Sequence, residues 1–469
     1  MKMKKITFGT DGWRGIIADD FTFDNVKIVA QAISDYVLET YENPKIIIGY
    51  DYRFHSENFA KICADILSAN AIHVLFSNNP IPTPAVAHAV VKKGASGAIM
   101  ITASHNPYYY NGIKFIPHYG GPANTQITDK IIKNVERIQK EGLKDINPDK
   151  DLIEYFDYKE EYLNDILNLI DKKAFEGKQL KVLVNPMYGC GIGYIDEALR
   201  RLGCDVKVIN NWRDPLFGGH LPEPNLENMK DLLEIIKTEE FDLGLATDGD
   251  ADRFGVVNPD GQFISANEVI FMLTDYLINT RGKASSVART VATTSMIDKI
   301  AQKHGMRCIE TPVGFKYIAE CLMKEDALIG GEESGGLSIK GHVPEKDGIL
   351  ADLLVAEAVA KLQKSPREIL DRIESEYGKL YNKRIDVRTT HSKKQEALER
   401  VKNFGKDSIA GLKCLEYRTR DGLKVILEDE SWFLVRASGT EDLIRIYAES
   451  KDAKTLENIL SEVKEYLGL

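Results

Sequence analysis

Residues 97–107 read GAIMITASHNP, an apolar run that ends abruptly in polar residues. A short apolar run bounded by turn-forming residues is typical of a buried β-strand, and Asn106-Pro107 favours a turn directly behind it. The hydroxyl of Ser104 is therefore predicted to lie at the carboxyl end of a central strand. In open α/β sheets, this is the edge at which ligands bind.

The same pattern recurs along the chain. Apolar runs predict strands at 45–49, 98–102, 181–185, 205–209, 243–247 and 327–330. Between them, apolar residues at helical spacing predict helices, for example one through Val26 and Val37 and another that follows Ser56, a predicted helix cap. This alternation favours an α/β fold over a helical bundle or a β-sandwich.

Polar loops with glycine follow three of these predicted strands, at Thr102, at Thr247 and at Gly331. Because ligands bind beyond the carboxyl ends of strands, the three loops are expected to converge on one cleft between domains.

A chain of 469 residues is too long for a single hydrophobic core. Its balance of 43% hydrophobic and 28% charged residues is that of a globular protein with sizeable cores. Polar or turn-rich stretches at 140–151, 258–261 and 364–366 are the candidate linkers. They divide the chain into four predicted domains, namely 1–150, 151–257, 258–367 and 368–469.

Composition also excludes several classes of protein. The net charge of −10 opposes binding to nucleic acid or to acidic membranes. The six cysteines are scattered without a Cys-x-x-Cys pair, which favours a reduced protein without structural zinc. Asp352 and Glu357 interrupt the apolar run 349–362, which is therefore interpreted as an amphipathic helix and not as a membrane span. The basic start lacks the apolar region of a signal peptide, so we expect a cytoplasmic protein.

The loop 247–253 reads TDGDADR and places Asp248, Asp250 and Asp252 on alternate positions. Carboxylates with this spacing can turn toward one hard cation, which suits Mg²⁺ with room for a phosphate oxygen. An EF-hand calcium loop does not fit, because Arg253 stands where its glycine belongs and Pro259 where its last glutamate belongs. A solvated acidic turn is the remaining alternative. Arg253 argues against it, since an arginine there would bind the same anion as the metal.

Two further loops carry groups that bind sugars and phosphates. Residues 330–336 (GGEESGG) combine carboxylates with a hydroxyl, groups that hydrogen-bond sugar hydroxyls, although a glycine-rich acidic turn explains them equally well. Residues 436–440 (RASGT) offer an arginine, two hydroxyls and a glycine amide without the lysine of a Walker loop. A polar hairpin turn is the alternative there.

Ser104 alone could be an ordinary turn or cap serine. His105 is adjacent in sequence, whereas the base of a serine–histidine pair approaches from elsewhere in the fold, so a serine hydrolase is disfavoured. Lys114 is either a base or phosphate ligand that returns to the site, or a surface lysine.

The four loops, together with residues 9–15 (GTDGWRG), resemble those of the α-D-phosphohexomutase superfamily of phosphoglucomutases and phosphomannomutases, in the same order along nearly the whole chain. The resemblance implies three related α/β/α domains with mixed sheets and a smaller C-terminal α+β domain around a central cleft. It also implies a Mg²⁺-dependent isomerase that moves a phosphoryl group between C1 and C6 of a hexose through a phosphoserine and a bisphosphorylated intermediate.

The resemblance assigns roles residue by residue. Ser104 would carry the phosphoryl group and complete the Mg²⁺ ligands Asp248, Asp250 and Asp252. The residues expected around the transferring phosphoryl group are Arg14, His105 and Lys114. The residues expected to bind the substrate are Arg253, Glu332, Ser334, Lys346, Arg436, Ser438, Gly439, Thr440 and Arg445.

Two positions that depart from the family pattern bear on which sugar the enzyme prefers. Some phosphomannomutases and phosphoglucosamine mutases have histidine where Gly336 stands, and one subgroup has histidine where Phe315 stands. Both positions favour the glucomutase branch, so the expected reaction converts glucose 1-phosphate to glucose 6-phosphate.

Alternatives stay open at this point. They are a phosphomannomutase or dual-specificity mutase, a phosphoglucosamine or phosphopentomutase, a magnesium phosphatase and a silent sugar-phosphate-binding protein. The sequence does not decide between a monomer and a homo-oligomer. It also leaves open the physiological direction and whether a hexose 1,6-bisphosphate activator must be supplied.

Overall fold

The computed structural model describes residues 6–9, 12–143, 147–282, 284–437 and 442–469. They form four sheets in sequence order, each with its own helices. The first three sheets mix parallel and antiparallel strands, whereas the paired strands described in the fourth are antiparallel.

The first sheet has seven strands in the order β1-β2-β6-β5-β3-β4-β7. Its strands are β1 (Phe8–Gly9), β2 (Gly12–Ile16), β3 (Lys45–Tyr50), β4 (His73–Ser77), β5 (Gly97–Ile101), β6 (Tyr110–Pro117) and β7 (Ile153–Phe156), and its helices are α1 (Phe23–Thr40), α2 (Ser56–Ala69), α3 (Thr83–Lys92) and α4 (Thr125–Glu141). All five residues of β5 are buried, as the unbroken apolar run predicts for a central strand.

The second sheet has five strands in the order β12-β11-β10-β8-β9. Its elements are α5 (Lys159–Leu167), β8 (Lys181–Asn185), α6 (Ile195–Arg201), β9 (Asp205–Val208), α7 (Lys230–Thr238), β10 (Leu243–Thr247), β11 (Phe254–Val257) and β12 (Phe263–Ile264).

The third sheet has four strands in the order β14-β13-β15-β16. Its elements are α8 (Ala266–Arg281), β13 (Ser286–Thr290), α9 (Met296–Lys303), β14 (Arg307–Thr311), α10 (Phe315–Lys324), β15 (Ala327–Glu332), β16 (Gly336–Ile339), α11 (Gly348–Leu362) and α12 (Pro366–Tyr377).

The fourth sheet has six strands in the order β17-β22-β21-β20-β19-β18. Its elements are β17 (Tyr381–Arg388), α13 (His391–Lys402), β18 (Ser408–Ile409), β19 (Leu412–Arg418), β20 (Leu423–Leu427), β21 (Trp432–Ala437), β22 (Leu443–Ser450) and α14 (Ala453–Leu467). A small apolar cluster, in which Trp432 packs with Val291, joins this sheet to the third unit.

The six predicted strands are present, with ends that differ from the predicted ones by at most two residues. Each of the three predicted loops joins a strand to its antiparallel neighbour in the same sheet. The pairs are β5 with β6, β10 with β11, and β15 with β16. The repeated connection explains why the same strand-then-polar-loop pattern occurs three times in the sequence.

Two of the predicted domain boundaries do not coincide with the boundaries between sheets and helices in the structure. Strand β7 pairs with β4 in the first sheet, although it follows residue 150. Helix α12 begins at Pro366 and crosses residue 367, because Ser365 forms a capping box with Glu368 and starts a helix where a linker was expected.

Two helix predictions are corrected by the structure. Ser56 is the first residue of α2 and not its cap; His55 occupies the cap position, and the Ser56 hydroxyl donates instead to Asp51 Oδ1 at 2.6 Å. Helix α11 is not amphipathic, since residues 348–360 are all buried. Glu357 is tolerated there because the Tyr276 hydroxyl and Arg281 bind its carboxylate.

The largest apolar cluster unites the first three units and includes most of α11. The six cysteines are free thiols. Among the described residues, every helix is too short or too polar to cross a bilayer.

Candidate active site

Ser104 lies just beyond β5, where the sequence predicted it. It adopts a left-handed backbone conformation (φ 50°), and its amide donates to Thr102 Oγ1 at 2.9 Å. The side chain is buried, and its Oγ donates to Asp248 Oδ2 at 2.8 Å. The first and second loops therefore meet at this hydroxyl.

The three aspartates of the second loop are buried, and one ligand atom from each lies within 4.8 Å of the others. Lys114 Nζ lies 2.9 Å from both Asp250 Oδ2 and Asp252 Oδ2. Asp250 Oδ1 and Asp252 Oδ1 are buried and have no hydrogen-bond partner among the residues that the structure describes. Buried carboxylate oxygens that lack a donor fit a hard divalent cation such as Mg²⁺, which takes oxygen ligands.

Crowding of negative charge sets the protonation of this cluster. Burial, together with the charges of Asp250 and Asp252, raises the pKa of Asp248 well above its ordinary value. Burial acts in the same direction on Asp252, but the positive charges of Lys114 and Lys346 outweigh it and hold the pKa of Asp252 low. A divalent cation among the three carboxylates would oppose the shift at Asp248 and favour its ionised form.

The backbone of the second loop is bound by three different parts of the fold. The carbonyl of Gly249 accepts from Cys190 N at 3.0 Å, that of Asp250 from Thr83 N at 3.0 Å, and that of Ala251 from Gly348 N at 3.1 Å. We call residues 249–251 the shared turn. Thr83 also donates its hydroxyl to Asp250 Oδ2 at 2.6 Å, which fixes the carboxylate as well as the backbone.

Two of the residues predicted around the phosphoryl group, Arg14 and His105, lie at the Ser104 loop. Arg14 donates to the side chain of Asn106, two residues after Ser104. His105 Nδ1 lies 3.2 Å from Ser104 Oγ. Burial and the neighbouring charges of Arg253 and Arg14 hold the pKa of His105 well below its usual value, so its imidazole is neutral near pH 7.

Arg253 extends from the end of the second loop and pairs with Glu223 Oε1 at 2.9 Å. Glu332 ends β15, and its Oε1 accepts from Gly314 N at 2.8 Å. Burial raises the pKa of Glu332 to about 7, although the charge of Lys346 opposes the shift. Ser334 lies in the turn that follows, so these predicted sugar contacts share one loop.

Lys346 is buried and links the third loop to the second. Its Nζ lies 3.5 Å from Asp252 Oδ2 and 2.8 Å from Glu345 Oε1. The same atom lies 5.2 Å from the centre of the Phe315 ring. A Cβ atom at Gly336 would lie 2.5 Å from Lys346 Cδ, so the missing side chain of Gly336 leaves room for the lysine stem.

The predicted phosphate clamp lies on the fourth sheet. Arg436 and Arg445 are directly opposite each other on β21 and β22. Arg436 Nε lies 3.0 Å from Asp421 Oδ1, and Arg445 Nε lies 3.9 Å from Asp386 Oδ2. The other predicted clamp residues, Ser438, Gly439 and Thr440, lie outside the described residues.

Arg53, which was not among the predicted site residues, is fully buried beneath the Ser104 loop. Its guanidinium donates to the carbonyl oxygens of Ser104, Asn106, Pro107 and Tyr110. Its Nε lies 3.2 Å from Asp51 Oδ2. The available signal was Asp51-Tyr52-Arg53 directly after β3, a fourth polar segment at the carboxyl edge of a strand.

A buried serine hydroxyl against an aspartate cluster, with arginines on a separate sheet for a second anion, defines the class as a phosphoryl-transfer enzyme. Comparison with known proteins identifies the family. The four domain families of phosphoglucomutase/phosphomannomutase match the chain, with α/β/α domains I, II and III over residues 5–142, 160–261 and 265–377 and the C-terminal domain over residues 385–465. The chain belongs to the phosphoglucomutase/phosphomannomutase family and is an enzyme of the phosphohexomutase type.

Three similar proteins illustrate the range of the family. The phosphoglucosamine/phosphogalactosamine mutase of Sulfurisphaera tokodaii is 31% identical, with 98% of each chain covered. The phosphoglucomutase/phosphomannomutase of Thermococcus kodakarensis is 30% identical, with 98% of this chain and 97% of the relative covered. A crystal structure assigned to the phosphomannomutases, from Thermus thermophilus, is 32% identical with a TM-score of 0.88, and all of both chains is covered. The names of these relatives cover several sugars.

Proposed function

We propose that this enzyme interconverts glucose 1-phosphate and glucose 6-phosphate through a phosphoserine at Ser104 and a bisphosphorylated intermediate. One observation carries the proposal, namely the 2.8 Å hydrogen bond between Ser104 Oγ and Asp248 Oδ2. It holds a buried hydroxyl against a carboxylate cluster suited to Mg²⁺, and a phosphoryl group on that hydroxyl would lie beside the cation.

In the first half of the proposed reaction, the bond between phosphorus and Ser104 Oγ breaks as a bond forms to the free hydroxyl of the hexose phosphate. The neutral imidazole of His105 accepts the proton that leaves this hydroxyl, and a proton passes from His105, whose Nδ1 lies 3.2 Å from Ser104 Oγ, to the departing serine oxygen. Asp248, Asp250 and Asp252 would hold Mg²⁺, which when bound would supply positive charge that offsets the charge of the transferring group. Arg14 and Arg253 donate hydrogen bonds to its oxygens.

In the second half, the bisphosphate turns over in the site and its other phosphoryl group returns to Ser104. The phosphate that is not being transferred binds Arg436 and Arg445, with Ser438, Gly439 and Thr440 completing the clamp. Glu332, Ser334 and Lys346 bind ring hydroxyls that look similar in either orientation of the sugar. These roles explain why the site has two separate groups of cationic side chains, one for the transferring phosphoryl group and one for the phosphate that is not being transferred.

The identity of the sugar is supported by residues at the third loop. Gly336 and Phe315 stand where some mannose- or glucosamine-specific relatives have histidine, which favours glucose. A phosphoglucosamine mutase is the second candidate, because the Sulfurisphaera tokodaii relative carries that activity in its name at 31% identity. A phosphomannomutase or a dual-specificity enzyme is the third.

The central experiment compares Ser104→Ala with Ser68→Ala, a control serine whose hydroxyl only donates to the Asp65 carbonyl in α2. We expect a phosphorylated peptide around Ser104 in the parent protein and the loss of glucose 1-phosphate turnover in Ser104→Ala alone. Full mutase activity in Ser104→Ala would refute the proposal. Release of inorganic phosphate without the mutase product would instead indicate a phosphatase.

A panel of sugar phosphates tests which sugar the enzyme prefers as its substrate. We expect the kcat/KM for glucose 1-phosphate to exceed that for the 1-phosphates of mannose and glucosamine, with and without added glucose 1,6-bisphosphate. A higher kcat/KM for glucosamine 1-phosphate would replace glucose by the second candidate and leave the phosphoserine mechanism intact.

A further inference from the structure

We infer that Asp421 is a positioning residue that couples the phosphate side of the site, at Arg436, to the sugar side, at Glu332 and Lys346. The inference rests on the proposed function, because that function assigns Arg436 to a phosphate and Glu332 to sugar hydroxyls. Asp421 is expected to act through these residues, without touching the substrate.

The Asp421 carboxylate joins two sheets. It lies between β19 and β20 of the fourth sheet, and its Oδ1 is 3.0 Å from Arg436 Nε on β21. Its other oxygen, Oδ2, accepts from Val313 N at 2.7 Å, and Val313 follows β14 of the third sheet. One side chain therefore fixes the distance between the arginine and a backbone segment of another domain.

The backbone beside Asp421 is shaped for this arrangement. Gly422 has a φ of 84°, and a Cβ atom there would lie 2.2 Å from the Val435 carbonyl oxygen and 2.8 Å from Arg436 Cγ. The stem of Arg436 packs against Gly422 while Asp421 holds its guanidinium. Only glycine combines this backbone conformation with so close an approach.

The segment 313–315 continues the connection, because three consecutive residues contact three different partners. Val313 N donates to Asp421, and Gly314 N donates to Glu332 Oε1 at 2.8 Å. The ring of Phe315 lies 5.2 Å from Lys346 Nζ. Val313 and Gly314 share one planar peptide unit, so a rotation of that unit also redirects the Gly314 N–H that Glu332 accepts, and Phe315 follows in the next unit.

This connection has a consequence for substrate binding. A hexose phosphate that places its phosphate at Arg436 and its hydroxyls at Glu332 requires a fixed separation between the two. Asp421 sets that separation across the boundary between the third and fourth units. Inorganic phosphate, which has no ring, requires only the arginine.

The test measures binding by titration calorimetry in a Ser104→Ala background, which excludes turnover. The probes are glucose 6-phosphate and inorganic phosphate. In Asp421→Ala we expect glucose 6-phosphate to bind about tenfold more weakly and inorganic phosphate only about threefold more weakly. Both probes are affected by the loss of the charged contact that Asp421 makes, but only glucose 6-phosphate is also affected by displaced sugar contacts. In Asp421→Asn we expect both probes to bind about threefold more weakly, because the amide oxygen still accepts from Val313 N.

The inference is overturned if Asp421→Ala weakens both probes by the same factor, or if it changes glucose 6-phosphate binding by less than about twofold. Asp429→Ala is the matched control, since Asp429 only binds Ser431 in the next turn of the same sheet. Thermal unfolding of each variant monitors the fold. A parent protein with no mutase activity would refute the proposed function, whereas these binding ratios are measured without turnover and report on Asp421 alone.

Discussion

Glu332 is a buried carboxyl group whose protonation changes in the physiological range, since burial raises its pKa to about 7. Its pKa in the unfolded chain is about 4.3, so the folded state favours the protonated form. The stability that protonation contributes is present at low pH and is lost as the pH rises through about 7. The group to which we assign the binding of sugar hydroxyls therefore destabilises the fold at alkaline pH.

We predict that Glu332→Gln raises the free energy of unfolding at pH 8 by up to about 3 kcal/mol, because a neutral amide removes the buried charge and still accepts from Gly314 N. The gain should shrink toward pH 4.5. Urea unfolding across this pH range checks it, with the exposed Glu239→Gln as a control. An equal gain at pH 8 and pH 4.5 would contradict the assignment. The same variant should bind hexose phosphates more weakly.

Arg53 is the residue that holds the backbone around Ser104. We predict that Arg53→Met lowers the free energy of unfolding by about 3–5 kcal/mol, because it leaves Asp51 buried without its ionic partner and removes one donor from each of four carbonyl groups. Urea unfolding measures the loss. Arg200→Met, which breaks an exposed pair with Asp196 on α6, should change stability by less than about 0.5 kcal/mol. If the two changes lowered the free energy of unfolding by similar amounts, Arg53 would not be the residue that stabilises the Ser104 loop.

At the scale of single elements, β16 shapes the space for Lys346. We predict that Gly336→Ala raises the KM for glucose 1-phosphate about fivefold while the fold is retained, because the added Cβ displaces the lysine stem and weakens one charged contact. Steady-state kinetics and thermal unfolding check this. Gly405→Ala is the control, since its Cβ would approach only the Asn403 carbonyl oxygen, at 3.9 Å. An unchanged KM would mean that Lys346 does not contact the sugar phosphate.

The strands and the loops behind them could be predicted from sequence, because a buried strand needs an unbroken apolar run and its polar end is then visible. Helix α11 could not be classified in this way. The partners that neutralise Glu357 come from α8, more than seventy residues earlier. Its burial is thus a property of packing between segments that are distant in sequence and leaves no local pattern.

The site was partly predictable for the same reason. Ser104 and the three aspartates lie in loops with a recognisable order of residue types. Arg53 and Asp421 contact backbone groups of distant segments. A single arginine or aspartate in a turn carries no sequence pattern that distinguishes it from a surface residue. Thr83 was missed because a threonine at the start of a helix normally has a capping role.

At the scale of the whole molecule, three carboxylates are buried together at the meeting point of the first two units, and we expect stability to depend on cations. We predict that Mg²⁺ raises the unfolding temperature, with a stabilisation of about 2.7 kcal/mol at a concentration one hundred times its Kd. Thermal unfolding with MgCl₂, against NaCl of equal ionic strength, checks this. Asp248→Asn should remove most of the difference. An identical response to both salts would place the metal elsewhere.

The shared turn has a consequence for the order in which the chain becomes active during synthesis. Its three carbonyls need donors from residues 83, 190 and 348, and the last of these leaves the ribosome long after the aspartates themselves. A nascent chain that ends before α11 therefore has its serine and its carboxylates but lacks the final hydrogen bond that shapes the turn. The backbone of this turn therefore has its full set of three donors only when segments of all three units are present.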